Sequence, residues 1–198
     1  MSDGNRPLTL LIVFGSVRSE RQGIRFARFL RQRVEAAGHT AERADPAEIA
    51  LPLLDRRYRH HAPGTAPEPM QRLAGMIGRA DAVIVVSAEY NHGMPPALKN
   101  LLDHFLEEWF HRPAGIACYS GGRFGGVRAA MQLRMTLPEL GMPTISSLLP
   151  LPEVGKALSE DGVDQTTWLT KAADDFIAEV AWWARAAKAE TERSGPPF

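Results

Sequence analysis

AVIVVSAEYNHGMPPALKN, Ala82 to Asn100, changes character twice within nineteen residues. Ala82–Ser87 is a run of branched apolar residues too short for a typical helix. Such a run suits a strand buried on both faces, as in a parallel sheet. Polar and ring-bearing side chains then crowd together at Glu89, Tyr90, Asn91 and His92. After Gly93, Pro95 or Pro96 fits the first turn of a helix, where a missing N–H does little harm. Leu98, Leu101, Leu102, Phe105 and Trp109 carry that helix onward at helical spacing. The stretch reads as strand, loop and helix, and such loops are where binding and catalysis concentrate.

The same alternation extends in both directions. LTLLIVF (Leu8–Phe14) is a second buried-strand run, and from Gly23 the pattern Ala27, Leu30, Val34, Ala37 predicts a helix stopped at Gly38. TAERA (Thr40–Ala44) reads as a short strand. Residues 50–69 hold four prolines and the patch RRYRHH, which marks a long surface excursion. A helix over Met70–Ala80 follows. Beyond the opening stretch come a strand at AGIACYS (Ala114–Ser120), a helix from about Gly126 to Leu140 and a fifth strand at PTISSLL. A final helix is expected from about Gln165 to Ala187, with Leu169, Ala173, Phe176, Val180 and Ala184 on one face.

Strands alternating with helices imply an α/β fold with right-handed crossovers and a parallel sheet covered on both sides. At 198 residues one domain is the simplest expectation, with an ordered core of about 7–188 and a frayed tail over 189–198. Lys plus Arg balances Asp plus Glu at 23 each, which argues against a nucleic-acid partner. Cys118 stands alone and excludes a disulfide framework; within an apolar run it reads as a small buried hydrophobe. The opening MSDGNRP has no apolar signal core, and no run approaches the ~20 residues a membrane span needs. A cytoplasmic location without membrane contact is therefore expected. His60, His61 and His92 lack metal-binding spacing, so no metal site is assigned.

Three strand-to-helix loops carry unusual chemistry. GSVRSERQG (Gly15–Gly23) combines Ser16, Ser19, Arg18 and Arg21 with a coming helix N-terminus, a favourable place for phosphate. It matches neither GxxxxGK[ST] nor GxGxxG, and an ordinary capped helix with solvated arginines accounts for it equally. In AEYNHGM (Ala88–Met94), Tyr90 could pack on a ring and Asn91 bond its edge; alternatively Asn91 simply supplies turn geometry. In SGGRFGG (Ser120–Gly126), Gly121 and Gly122 would let main chain approach a flat ring, or form a plain turn. In a sheet ordered 2-1-3-4-5 these loops are neighbours at the carboxyl ends of the strands, where ligands bind.

GSxRxxRxG, EYNHGMPxALKNxLDH and YSGGRxGGxRAxxQLRxxLxxLGMPT together resemble the NADPH-dependent FMN reductase family, over roughly Leu8 to Leu149. That resemblance implies a flavodoxin-like three-layer sandwich and noncovalent FMN. It implies reduction of flavins, quinones, azo compounds or metal oxyanions by NADPH or NADH, in two half-reactions. It assigns Ser16, Arg18 and Arg21 to the FMN phosphate, with Gly23 at the helix entry. Glu89, Tyr90, Asn91 and His92 would run past the phosphate and along the isoalloxazine, and Ser120, Gly121 and Gly122 would meet its pyrimidine side. Ala88 and Pro96 stand where many relatives have proline and glycine.

No catalytic side chain is assigned, because flavin carries the hard chemistry. Relatives commonly form dimers or tetramers, so a homodimer or homotetramer is expected, with the Leu98–Trp109 helix as a candidate interface. The resemblance also places Asp103 and His104 in subunit packing. Trp168, Trp182 and Trp183 read as core or interface residues. RRYRHH reads as a lid toward the NADPH 2′-phosphate, a dimer contact or a solvated loop. The rival function is a flavodoxin-type electron carrier, which neutral charge disfavours; a non-catalytic nucleotide-binding domain is a further alternative.

Overall fold

Branched side chains lose rotamer freedom in a helix but pack well on a pleated surface, and the runs richest in them form the sheet. A computed structural model describes residues 6–197. Residues 1–5 and 198, which hold most of the polar lead and the last residue of the tail, lie outside the described residues. Strands β1 (Thr9–Phe14), β2 (Thr40–Ala44), β3 (Ala82–Ala88), β4 (Ala114–Tyr119) and β5 (Thr144–Leu151) stand in the order β2-β1-β3-β4-β5. All neighbours are parallel, with Phe14 beside Val86 and Ala88 beside Tyr119. The alternation of elements predicts the covered parallel sheet, and the strand order is that of the flavodoxin-like sandwich the family resemblance implies.

Helices α1 (Ile24–Ala36), α2 (Pro46–Ile49), α3 (Glu68–Arg79), α4 (Pro96–Asp103), α5 (Val127–Glu139), α6 (Val154–Ala157) and α7 (Leu169–Ser194) connect and cover the sheet. Successive strand side chains point to opposite faces. On one face Leu10, Ile12 and Phe14 meet Phe26 and Leu30 of α1 and Phe176 and Val180 of α7. On the other, Leu11 and Val13 meet Leu73 of α3, Leu98 and Leu102 of α4 and Leu133 of α5. At Gly115 in β4, a Cβ would lie 2.6 Å from the Phe176 ring, so the missing side chain sets how closely α7 docks.

Several expectations change. The helix after β3 ends at Asp103 rather than Trp109, and a 3-10 turn at Glu107–Trp109 replaces its last part. The Trp109 indole N–H and the Phe105 amide both donate to the Leu102 carbonyl, so the chain tightens there. Leu98, Leu101, Leu102, Phe105 and Trp109 are all buried in this chain's own core. That apolar face is therefore taken up by this chain's own core, and His104 is likewise buried within the chain, its ring against the Asn100 carbonyl.

The last helix begins at Leu169, not Gln165, because Asp164 gathers the preceding loop: Thr166 and Thr170 each donate backbone and hydroxyl hydrogens to it. It continues to Ser194, past the expected frayed tail, since its Ala, Lys, Arg and Glu residues are strong helix formers and Lys188 pairs with Asp81 at 2.8 Å. Trp168, Trp182 and Trp183 are exposed on the surface of this chain rather than in its core.

RRYRHH is held at the far end of α4. The Tyr58 ring packs 5.4 Å from that of Phe105, its amide donates to the His104 carbonyl, and Arg59 pairs with Glu107. Nearer the start of α4, Asn100 bonds both the Pro52 carbonyl and the Leu54 amide, stitching the excursion to the helix. No helix among the described residues is long and apolar enough to cross a membrane.

Candidate functional site

The loops after β1, β3 and β4 emerge side by side because β1, β3 and β4 are neighbours in the sheet. In the first loop the Ser16 hydroxyl is buried and bonds the Tyr90 hydroxyl at 2.7 Å. Arg18 places its guanidinium 5.9 Å from the Tyr90 ring centre and is exposed. Arg21 lies over the Phe14 ring and donates to the Ser16 carbonyl at 2.8 Å and to Asp45 at 2.5 Å. Its charge is thus already partnered, which the two-solvated-arginines reading did not foresee.

The second loop is a tight hairpin turn. Tyr90 and Gly93 exchange backbone hydrogen bonds of 2.9 and 3.0 Å, and Asn91 and His92 both have positive φ, 49° and 69°. Two consecutive left-handed residues make a type I′ turn, a conformation Asn tolerates and His adopts more readily than most. Asn91 and His92 are exposed there. Glu89 turns the other way: its carboxylate accepts from the Arg128 backbone at 3.0 Å and side chain at 2.9 Å, capping α5. Burial pushes the Glu89 carboxyl upward, but the Arg128 bonds and charge outweigh it and hold it below the ordinary range.

In the third loop the Ser120 hydroxyl donates to the Gly122 carbonyl at 2.7 Å and accepts from the Gly125 amide at 2.9 Å. The Glu153 and Val154 amides donate back to the Gly122 and Ser120 carbonyls, tying the turn after β5 to it. A Cβ built on Gly121 or Gly122 meets nothing within 4 Å. By contrast Gly125 and Gly126 have positive φ, 64° and 80°, and a Cβ on Gly126 would press to 2.7 Å from the Tyr119 backbone, so these are the glycines the turn itself requires.

Between these loops opens a cleft of about 340 Å³. The first loop supplies Ser16, Arg18 and Arg21, the second Glu89 and Tyr90, and the third Ser120 and Gly121. Gly23, Asn91, His92 and Gly122 do not line it. Tyr119 does, and the sequence reading passed over it: its ring rests on Gly23, where a Cβ would sit 1.9 Å away. Burial pushes the Tyr119 phenol well above its usual range, so it stays protonated. Gln22 and Val154 also line the cleft, and no motif announced either. A larger hollow of about 700 Å³ lies among residues 78–81, 110–112 and the end of α7, at the amino ends of β3 and β4. Ligands of open α/β sheets bind at the carboxyl ends instead.

The model of the family described as NADPH-dependent FMN reductase matches residues 8–155. The chain belongs to that family. Among curated members of known name, it is 31% identical over 158 residues to a quinone reductase of Pseudomonas putida, covering 76% of this chain and 80% of that one. It is 27% identical over 162 residues to an NAD(P)H-dependent FMN reductase of Saccharomyces cerevisiae, covering 72% and 84%. Among solved structures, the flavoenzyme NAD(P)H:(acceptor) oxidoreductase FerB of Paracoccus denitrificans superimposes with a TM-score of 0.75 at 23% identity, over 91% of this chain and 98% of that one. The match, from Leu8 through Gly155, spans all three loops.

Proposed function

We propose that the cleft binds FMN without a covalent link and that the protein is a cytoplasmic NAD(P)H-dependent reductase of quinones or flavins. Azo compounds and metal oxyanions are further acceptors of the same class. The observation carrying this reading is the meeting of Ser16, Arg18 and Arg21 with Gly121 around one cleft. Cationic and hydroxyl groups at one loop suit a phosphate, and a main chain without Cβ at another suits a planar ring. At about 340 Å³ the cleft falls within the usual range for cofactor sites. The residues present therefore fit the group.

Bound FMN would supply the redox chemistry, hydride transfer from a nicotinamide and onward reduction of the acceptor. The chain's own part is positioning. Arg18 and Arg21 hold the phosphate, Tyr90 and Tyr119 wall the cleft, and Gly121 leaves room for main-chain approach. Glu89 contributes indirectly by fixing the second loop to α5. A homodimer or homotetramer and a single-domain chain belong to the same reading.

The test is a visible spectrum of the purified protein after FMN addition, then anaerobic NADPH or NADH. A flavin spectrum that bleaches with nicotinamide, and recovers with a quinone, supports the enzyme. A coloured protein that neither nicotinamide reduces would replace the enzyme with an electron carrier. Absence of FMN binding would remove the cofactor altogether.

A further inference from the structure

Arg21 could not hold its place on its own. Long side chains carry about 2 kcal/mol of rotamer entropy, and this one stems from a loop. What fixes it lies on the neighbouring strand. Asp45, at the carboxyl end of β2, has a fully buried side chain. Its Oδ1 accepts from Arg21 Nη1 at 2.5 Å and from the Ala47 amide at 3.0 Å. Its Oδ2 is buried without a hydrogen-bond partner, 4.0 Å from the Arg43 guanidinium. A buried carboxylate is costly unless a cation compensates it, so Arg21 is bound to this site by charge as well as geometry. Arg21 Nη1 also donates to the Ser16 carbonyl, which leaves both hydrogens of that nitrogen occupied. The remaining three of the five guanidinium donors are free of this arrangement, on a side chain that keeps 18% exposure and lines the cleft.

We propose that Asp45 is a positioning residue for anion recognition: it pins Arg21 by one nitrogen so that the rest of the fork meets a phosphate entering the cleft. This rests on the FMN reading above. Holding a donor in its bound geometry beforehand improves affinity by lowering the ordering cost. Asp45 touches no ligand and acts through Arg21. Its effect falls on the phosphate end of the cofactor and leaves the ring end alone.

The experiment compares FMN with riboflavin, which lacks the phosphate, by fluorescence titration. Asp45→Ser keeps a hydroxyl to cap α2 but is too short to reach Arg21. Expected is a loss of about tenfold in FMN affinity, with riboflavin affinity unchanged. The double variant Asp45→Ser/Arg21→Ala should bind FMN no more weakly than Arg21→Ala. Equal losses for both flavins, an unchanged FMN preference, or additive losses in the double variant would overturn the proposal. Should Asp45→Ser not fold, Asp45→Asn goes through the same cycle; coupling to Arg21→Ala upholds the inference and additivity overturns it. A wild-type protein with no preference for FMN over riboflavin sinks the cofactor reading itself, a result distinct from a preference that survives in the variant.

Discussion

Gly23 lies directly beneath the Tyr119 ring, so close that a methyl group there would sit 1.9 Å from a ring carbon. Gly23 has an ordinary φ of −62°, so the glycine serves the approach of the ring and not the turn. Tyr119 in turn stacks 6.4 Å from Phe14 and meets Phe26 edge-on. The cleft wall is thus built on an absent side chain.

Gly23→Ala should force Tyr119 out of that position. Overpacking of this kind typically costs about 1–3 kcal/mol, so a melting temperature several degrees lower is expected, together with weaker FMN binding. An unchanged melting curve and unchanged affinity would mean that Tyr119 moves freely.

Arg18 is exposed and rests on the Tyr90 ring. Removing a charged hydrogen-bond partner typically costs about 1.5–3 kcal/mol, which corresponds to roughly ten- to a hundredfold. Arg18→Ala should weaken FMN by that factor and spare riboflavin. Isothermal titration with both flavins checks it, and unchanged FMN affinity would remove Arg18 from the phosphate site.

Glu89 and Arg128 make the second loop sensitive to acid. The Glu89 pKa is depressed in the folded chain, since the Arg128 bonds and charge outweigh burial. A group of that kind adds stability above its unfolded pKa, about 4.3, and loses it as pH falls through the lower folded value. Glu89→Gln should therefore lower the melting temperature most at pH 7, with the gap closing as the pH drops below about 4. A gap independent of pH would show that the charge is not what matters.

Asp164 starts α7 by accepting four hydrogens from Thr166 and Thr170. Asp164→Ala should release the first turn of the helix and destabilise the fold by about 1 kcal/mol, as for other lost caps. Faster amide exchange at residues 166–172 in the variant is the specific readout; exchange unaltered there would contradict the assignment.

Cys118 is buried, and burial with the nearby Glu89 charge pushes its thiol up to about 12. Thiolate is the reactive form, so the native protein should resist iodoacetamide at pH 8 and react only when denatured. Rapid native alkylation would require an opening at β4.

Much of the cleft was legible because its chemistry is local. Ser16, Arg18 and Arg21 fall within one loop, and Ser120 and Gly121 within another, so residue type and spacing name them before any contact is known. Contacts made after folding added roles that spacing alone does not show. Glu89 lines the cleft and also caps α5 through Arg128, 39 residues away, while Asn91 and His92 form the tight turn closed by Tyr90 and Gly93 and stand outside the cleft lining. Asp45 could be read as a helix cap from the proline after it, but its hold on Arg21 could not.

By itself, the sequence determined the parallel sheet, its flanking helices and the three loops that meet, because hydrophobic periodicity and glycine or proline placement act over a few residues. Tertiary structure alone decided which side of each loop faces the cleft, where α4 stops and how far α7 runs. Those outcomes depend on side chains that compete for the same space or the same carbonyl, as Trp109 and Phe105 do at Leu102. Such competition exists only once strands far apart in the chain have paired.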